Sequence, residues 1–205
     1  MTKIDLKKTL DSYKAKNHVL QIVTIPSTQY IMIDGEGDPN TADEYTNAIQ
    51  ALFPIAYKIK FASKIELKRD FVVMPLEGLW WADDMSAFTS GRDKSKWKWT
   101  LMIMQPDWIT KDMFMKAVRD LADKNAPKSL GNVRFETLHE RTCVQTLHVG
   151  SFDDEAEILA EMHNIFIPAN NLKMIGKHHE IYFSDVRKVA PAKWRTILRQ
   201  PVESN

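Results

Sequence analysis

Phe71-Val-Val-Met-Pro-Leu-Glu-Gly-Leu-Trp-Trp81 and Gly176-Lys-His-His-Glu-Ile-Tyr-Phe-Ser-Asp185 read as two copies of one segment, each placing a glutamate inside an apolar strand. With Glu77 laid on Glu180, Leu79 falls on Tyr182. A carboxylate within an apolar strand costs free energy unless a partner or a ligand compensates it. A single such glutamate is commonly a paired structural group on a wet sheet face. Two at matching points of a repeat, each beside aromatic residues, point toward a ligand site.

Working outward, each copy belongs to the same run of elements. Gln29-Tyr-Ile-Met-Ile-Asp34 is β-branched and apolar and reads as a strand. Gly35-Glu-Gly-Asp-Pro39 ends it, and Thr41-Ala-Asp-Glu44 fits a capping box that opens a helix. Tyr45, Ala48, Ile49, Leu52, Phe53, Ala56 and Tyr57 fall at helical spacing on one buried face, with Pro54 expected to kink it. Strands 71–81 and 96–104 follow. In the second half, Arg141–Val149 is a strand, Ser151-Phe-Asp-Asp154 is a second possible cap, and Ile158, Leu159, Met162, Ile165 and Phe166 form an inner helical face. Strand 176–183 comes next, and Pro191–Leu198 reads equally as helix or strand.

The order predicts an α+β protein made of a tandem, duplicated βαββ unit within a single domain over 1–205. Repeat one covers about 28–105, a linking helix about 110–124, and repeat two about 133–202. Two half-sheets sharing an edge would form one antiparallel sheet with helices on one face. A cleft is expected at the pseudo-twofold seam, on the other face.

Composition bounds the function. At 205 residues the chain can bury a sizeable core without a disulfide or metal staple. Twenty-eight basic against 27 acidic residues leave a formal charge of +1, no field for nucleic acid or an anionic membrane. The single cysteine, Cys143, forms no internal disulfide, which favours a reducing cytoplasm, and reads as a small apolar filler. The start, Met-Thr-Lys-Ile-Asp-Leu-Lys-Lys, carries no secretory signal, and no apolar run approaches the ~18 residues of a membrane helix.

Familiar catalytic motifs fail. Gly35-Glu-Gly37 lacks the third glycine of a dinucleotide fingerprint. His179-Glu180 begins a zincin-like string, but Phe183 stands where the second ligand is needed, and His178 and His179 alternate to opposite faces. One of them is expected in the cleft, the other toward helices or solvent. Ser95-Lys-Trp-Lys98 lacks the rest of a serine–lysine machinery, and no nucleophile elbow occurs. No metal and no organic cofactor is expected.

A carboxylate–aromatic constellation remains. His178, Glu180 and Tyr182 share one face of their strand; Glu77, Leu79 and Trp81 share one face of theirs. Trp97 and Trp99 either line the same cleft or pack as core beneath the first helix. Trp80 has the opposite parity to Trp81, so at most one of the two faces the cleft unless a bulge intervenes. Tyr30 either reaches that face or packs within the sheet.

At these residues the chain resembles the GyrI-like small-molecule-binding domain, which also forms the effector-binding half of multidrug-sensing transcription regulators. The resemblance rests on Tyr30–Asp38, Met74–Trp81, His178–Asp185 and Ala190–Val202, and spans nearly the whole chain. It implies the tandem βαββ fold and a pocket glutamate, here Glu180, at the bottom of an aromatic pocket. Pro-Leu-Glu-Gly-Leu-Trp-Trp and His-Glu-Ile-Tyr resemble a stand-alone branch of hydrolases that open the cyclopropane ring of cyclopropanoid genotoxins. Glu180, Tyr182 and Glu77 are then the expected catalytic residues, and Trp81, Trp97, Trp99, Tyr30 and His178 the substrate-binding ones. The expected partner is a flat aromatic small molecule, with neither nucleic acid nor membrane, on a cytoplasmic monomer or weak homodimer. The 28 residues before the first strand are too few for a helix-turn-helix domain, which disfavours a transcription factor. Two other readings stand beside the hydrolase: a sequestering multidrug binder, and a protein-interaction module of gyrase-inhibitor type.

Overall fold

The computed structural model describes residues 2–84, 93–122 and 126–205. The chain order contains the same βαββ run twice. The first run is β2 (Thr28–Glu36), α1 (Asp43–Glu66), β3 (Leu76–Trp81) and β4 (Lys98–Gln105). The second is β6 (Arg141–Val149), α3 (Ala156–Glu161, prolonged by turns through Ala169), β8 (His178–Tyr182) and β9 (Arg195–Ser204). The linking helix is α2 (Lys111–Leu121), capped by Thr110, whose Oγ1 accepts from the Met113 N–H at 3.3 Å. The pairings between these strands and their edge strands are antiparallel.

The chain divides into two compact units. The first comprises Met1–Thr9, Thr28–Met74 and Trp80–Leu138; the second comprises Leu10–Ser27, Pro75–Leu79 and His139–Asn205. Three short strands lie outside the duplicated pattern: β1 (Gln21–Ile25), β5 (Arg134–Leu138) and β7 (Leu172–Met174). β5 pairs with β2 in the first unit, whereas β1 pairs with β6 and β7 with β9 in the second. β1 and β5 therefore each sit in the unit opposite to the strand that follows them in sequence, whereas β7 stays in the unit of its neighbours. They carry few buried side chains, which is why hydrophobic alternation does not announce them.

In the first unit, α1 packs on β2 and β4. Its buried stripe is Ala48, Ala51, Leu52, Ile55, Ala56 and Ile59, set against Ile31, Ile33, Leu101 and Ile103. The stripe is rotated from the expected one, and Tyr57 is 49% exposed. Three small alanines let the helix backbone come close to the sheet, and the bulky residues flank that contact. The capping box at Thr41 does not form: the helix starts at Asp43 and its N-cap is Ala42, without a side-chain bond. Asp43 and Glu44 in the first turn instead favour the helix end through its dipole. Pro54 lies inside the continuous helix.

Gly35 faces Trp99 across the β2–β4 ladder. A Cβ at Gly35 would lie 2.1 Å from Trp99 Cη2, and Trp99 is fully buried, so the indole has nowhere to go. We expect Gly35→Ala to destabilise the protein by roughly 1–3 kcal/mol or more, the usual cost of overpacking. Urea denaturation measures this; adding Trp99→Leu should recover part of the loss, since the two changes share one space.

In the second unit, Ser151 and Asp154 form the expected capping box, with Ser151 Oγ donating to Asp154 Oδ2 at 2.7 Å. The helix then departs from regular periodicity. Met162–Phe166 is a π turn, and the Ile167 N–H bonds back to the Met162 carbonyl. One extra residue per turn swings the following side chains by about 100°. Ile158, Met162 and Ile167 consequently fill the core with Val144, Leu198 and Val202, while Ile165 is 64% exposed. Pro191–Lys193 is a single 3-10 turn, and β9 begins at Arg195.

Candidate functional site

The face of β8 decides what its side chains can meet. Glu180 pairs with Leu198 and Tyr182 with Thr196. Paired residues point to one side, and Leu198 packs on the α3 core. His178, Glu180 and Tyr182 therefore stand on the helix-bearing side of the second unit, not on an open reverse side. Tyr182 Oη donates to Glu180 Oε2 at 2.6 Å, and His178 Nε2 lies 3.4 Å from Glu180 Oε1. Only 13% of the Glu180 side chain is exposed. Phe152 meets Tyr182 edge-on at 5.7 Å and lies tilted against Trp194 at 4.8 Å, so a row of three aromatic rings leads away from the tyrosine that holds the carboxylate. Trp194 is anchored by its Nε1, which donates to the Val189 carbonyl at 2.7 Å. His163, on the π turn, meets His178 edge-to-face at 6.1 Å. Burial, reinforced by the His178 charge, pushes the His163 imidazole down to about 4 and keeps it neutral.

The reverse side of β8 carries a different cluster. His179 and Arg199 are paired across β8 and β9 and point away from α3. His179 lies between two carboxylates, with Nε2 2.9 Å from Glu77 Oε2 and Nδ1 2.9 Å from Glu140 Oε1. Tyr13 Oη donates to Glu77 Oε1 at 2.5 Å. Arg199 Nη1 donates to Glu140 Oε2 at 2.9 Å, its Nε to Gln145 Oε1 at 3.1 Å, and its Nη2 to the Ser12 carbonyl at 2.5 Å. Burial pushes the Glu140 carboxyl up, but the charges and hydrogen bonds of His179 and Arg199 outweigh it and hold it at about 2. Burial likewise pushes His179 down, and the Glu140 charge with both carboxylate hydrogen bonds brings it above its ordinary value. Both ring nitrogens then donate. Glu77 and Glu180, aligned in sequence, are thus not brought together: they lie on opposite sides of β8. Burial pushes the Cys143 thiol up to about 12, with Glu140 adding to the effect, so it is an inert filler.

The first unit holds Trp80, Trp81, Trp97 and Trp99. Trp99 is fully buried, edge-on to Tyr45 at 5.2 Å. Trp80 stacks on Tyr45 at 6.1 Å and meets Trp97 edge-on at 5.8 Å. Of the adjacent pair, Trp80 joins this cluster; Trp81 alternates to the other side and is half-buried. Tyr30, 2% exposed and paired with Met104, faces away from Trp99. Lys98 is held by Asp83 at 2.7 Å. Among the described residues, no group of three or more His, Cys, Asp or Glu side chains is arranged to hold a metal ion, and no helix is long and apolar enough to cross a membrane.

The sequence model of the GyrI-like small molecule binding domain matches residues 18–203. The chain belongs to the GyrI-like family. An uncharacterised conserved protein from Listeria innocua is 37% identical, with a TM-score of 0.89 over 98% of this chain and 100% of the other. A structure described as a hydrolase from Listeria innocua is 36% identical, with a TM-score of 0.84 over the same shares. The C-terminal domain of EcmrR shares the GyrI-like fold at 14% identity, with a TM-score of 0.58 over 91% of this chain and 98% of that one. No curated protein matches the chain.

For this GyrI-like chain, sequence reading placed Glu180, Tyr182 and His178 on one face and missed the residues beside them. Phe152 follows the Ser151 cap, and Trp194 follows a Pro-initiated turn, so neither sits in a strand where parity could assign it. His163 depends on the π turn, which no spacing rule foretells.

Proposed function

We propose that the α3-facing side of β8 binds a flat, fused aromatic small molecule and adds water to the strained ring of a cyclopropanoid. The supporting observation is the Glu180 carboxylate, nearly buried and hydrogen-bonded to Tyr182, whose ring continues into a row with Phe152 and Trp194. Family membership supports small-molecule binding, and the hydrolase name of a relative at 36% identity agrees with turnover.

In this reading the aromatic rings hold the planar substrate so that its strained carbon faces a water beside Glu180. Glu180 takes a proton from that water as its oxygen bonds to the cyclopropane carbon. The bond from that carbon to the conjugated ring breaks, and its electron pair moves onto the carbonyl oxygen. Glu180 gives its proton to that oxygen. One water is added and nothing is oxidised or reduced. Glu77 has no contact with substrate here: held by Tyr13 and His179, it supports β8 from behind.

Incubation with a spirocyclopropyl dienone, followed by mass spectrometry, should show a product heavier by one water. A planar cationic dye should change fluorescence on titration, since a carboxylate among rings attracts such cations. Dye binding without a hydrated product would leave a sequestering binder; absence of both would reject the site.

A further inference from the structure

We infer that His163 is a ligand-contacting residue of this site, donating a hydrogen bond from Nε2 to a carbonyl oxygen of the bound aromatic molecule. The inference rests on the small-molecule reading above and assigns the carbonyl donor that reading requires.

Tyr182 would be the obvious donor on this face. Its proton is already committed, because Oη donates to Glu180 Oε2 at 2.6 Å. His178 lies with Nε2 3.4 Å from the other oxygen of the same carboxylate. The next polar group is His163, whose ring meets that of His178 at 6.1 Å and 84°. Its Nε2 is buried and has no hydrogen-bond partner among the described residues. A buried ring nitrogen without a partner costs about 1–3 kcal/mol, and in the tautomer with the proton on Nε2 an oxygen from a ligand would recover it. Burial, together with His178, holds the ring neutral, so it carries one N–H and adds no charge to the pocket.

The backbone supports the same assignment. His163 sits on the π turn Met162–Phe166, the one place where α3 leaves α-helical geometry. Such turns give up regular hydrogen bonding to re-aim one side chain and occur frequently at functional sites. Here the turn turns Ile165 out to 64% exposure and brings in Ile167. Packing alone gives no reason for that exchange of one isoleucine for another; the side chain gained by the distortion is the histidine beside His178.

Two probes of nearly equal shape test this: fluorenone, with a carbonyl, and fluorene, without one. His163→Phe should weaken fluorenone about 3- to 10-fold, the worth of one neutral hydrogen bond, and leave fluorene unchanged. His163→Gln, which restores an N–H, should recover part of the fluorenone affinity. In the wild type, fluorenone but not fluorene should move the 15N resonance of His163 Nε2, a readout independent of how either variant folds. Equal losses for both probes, or no fluorenone-specific 15N shift, would overturn the role of His163 alone. Wild-type protein that binds neither probe would overturn the small-molecule reading, and this inference with it.

Discussion

Glu180→Gln is expected to lower turnover of a cyclopropanoid substrate by about 100- to 10,000-fold, the range contributed by a positioned acid–base group, while the neutral hydrated product still binds. Glutamine matches the carboxylate in size and can still accept from Tyr182, so the pocket keeps its shape. It cannot take a proton from water. Affinity for a planar cationic dye should also fall, since the negative charge that attracts the cation is gone. Tyr182→Phe should cost less turnover, because it removes the hydrogen bond to Oε2 and not the carboxylate. Single-turnover rates and product titration separate the two effects. Full turnover in Glu180→Gln would reject the mechanism, and dye affinity untouched in both variants would place the site elsewhere.

The duplicated βαββ order was legible because its signals are local. Ser151 and Asp154 cap a helix as their spacing promises, and the apolar stripes of α1 and α3 have the right period over their first turns. Strand alternation alone put His178, Glu180 and Tyr182 on one side. The rest needed information that spacing does not carry. Nothing local says which side of β8 the helix covers, so Glu77 and Glu180 look equivalent although one meets His179 and the other α3. The cluster behind β8 joins Tyr13, Glu77, Glu140, His179 and Arg199, groups brought together only by long-range pairing. A charged residue inside the apolar run Ile197-Leu198-Arg199 hints at a buried partner, without naming it. The π turn defeats periodicity by inserting a residue, which turns Ile165 outward.

That hidden cluster supports the second large prediction. Glu77, Glu140, His179 and Arg199 are each at most 6% exposed, and with His179 protonated their charges cancel. Removing one charge from such a set leaves the others buried without compensation, a loss typically of 3–5 kcal/mol. We expect Glu140→Gln to lower unfolding free energy by about that much, read from urea denaturation at pH 6. The pH profile identifies the cause. The Glu140 carboxyl, depressed from 4.5 to about 2, contributes stability that is present above 4.5 and lost as pH falls toward 2. The imidazole of His179, raised from 6.5, contributes stability that is present below 6.5 and lost as pH rises through its folded value. The cluster is therefore strongest between 4.5 and 6.5, where both groups are charged. Glu140→Gln should flatten both limbs: it removes the titrating carboxylate outright and takes away the charge that raises His179. His179 alternates with His178 and Glu180 on a strand only five residues long, so loosening the cluster should also shift the Glu180 carboxylate. Turnover should then fall while the ligand still binds. A variant as stable as the wild type at pH 6, with both limbs unchanged, would show that the cluster is an incidental pairing and that β8 is held by its strand ladders alone.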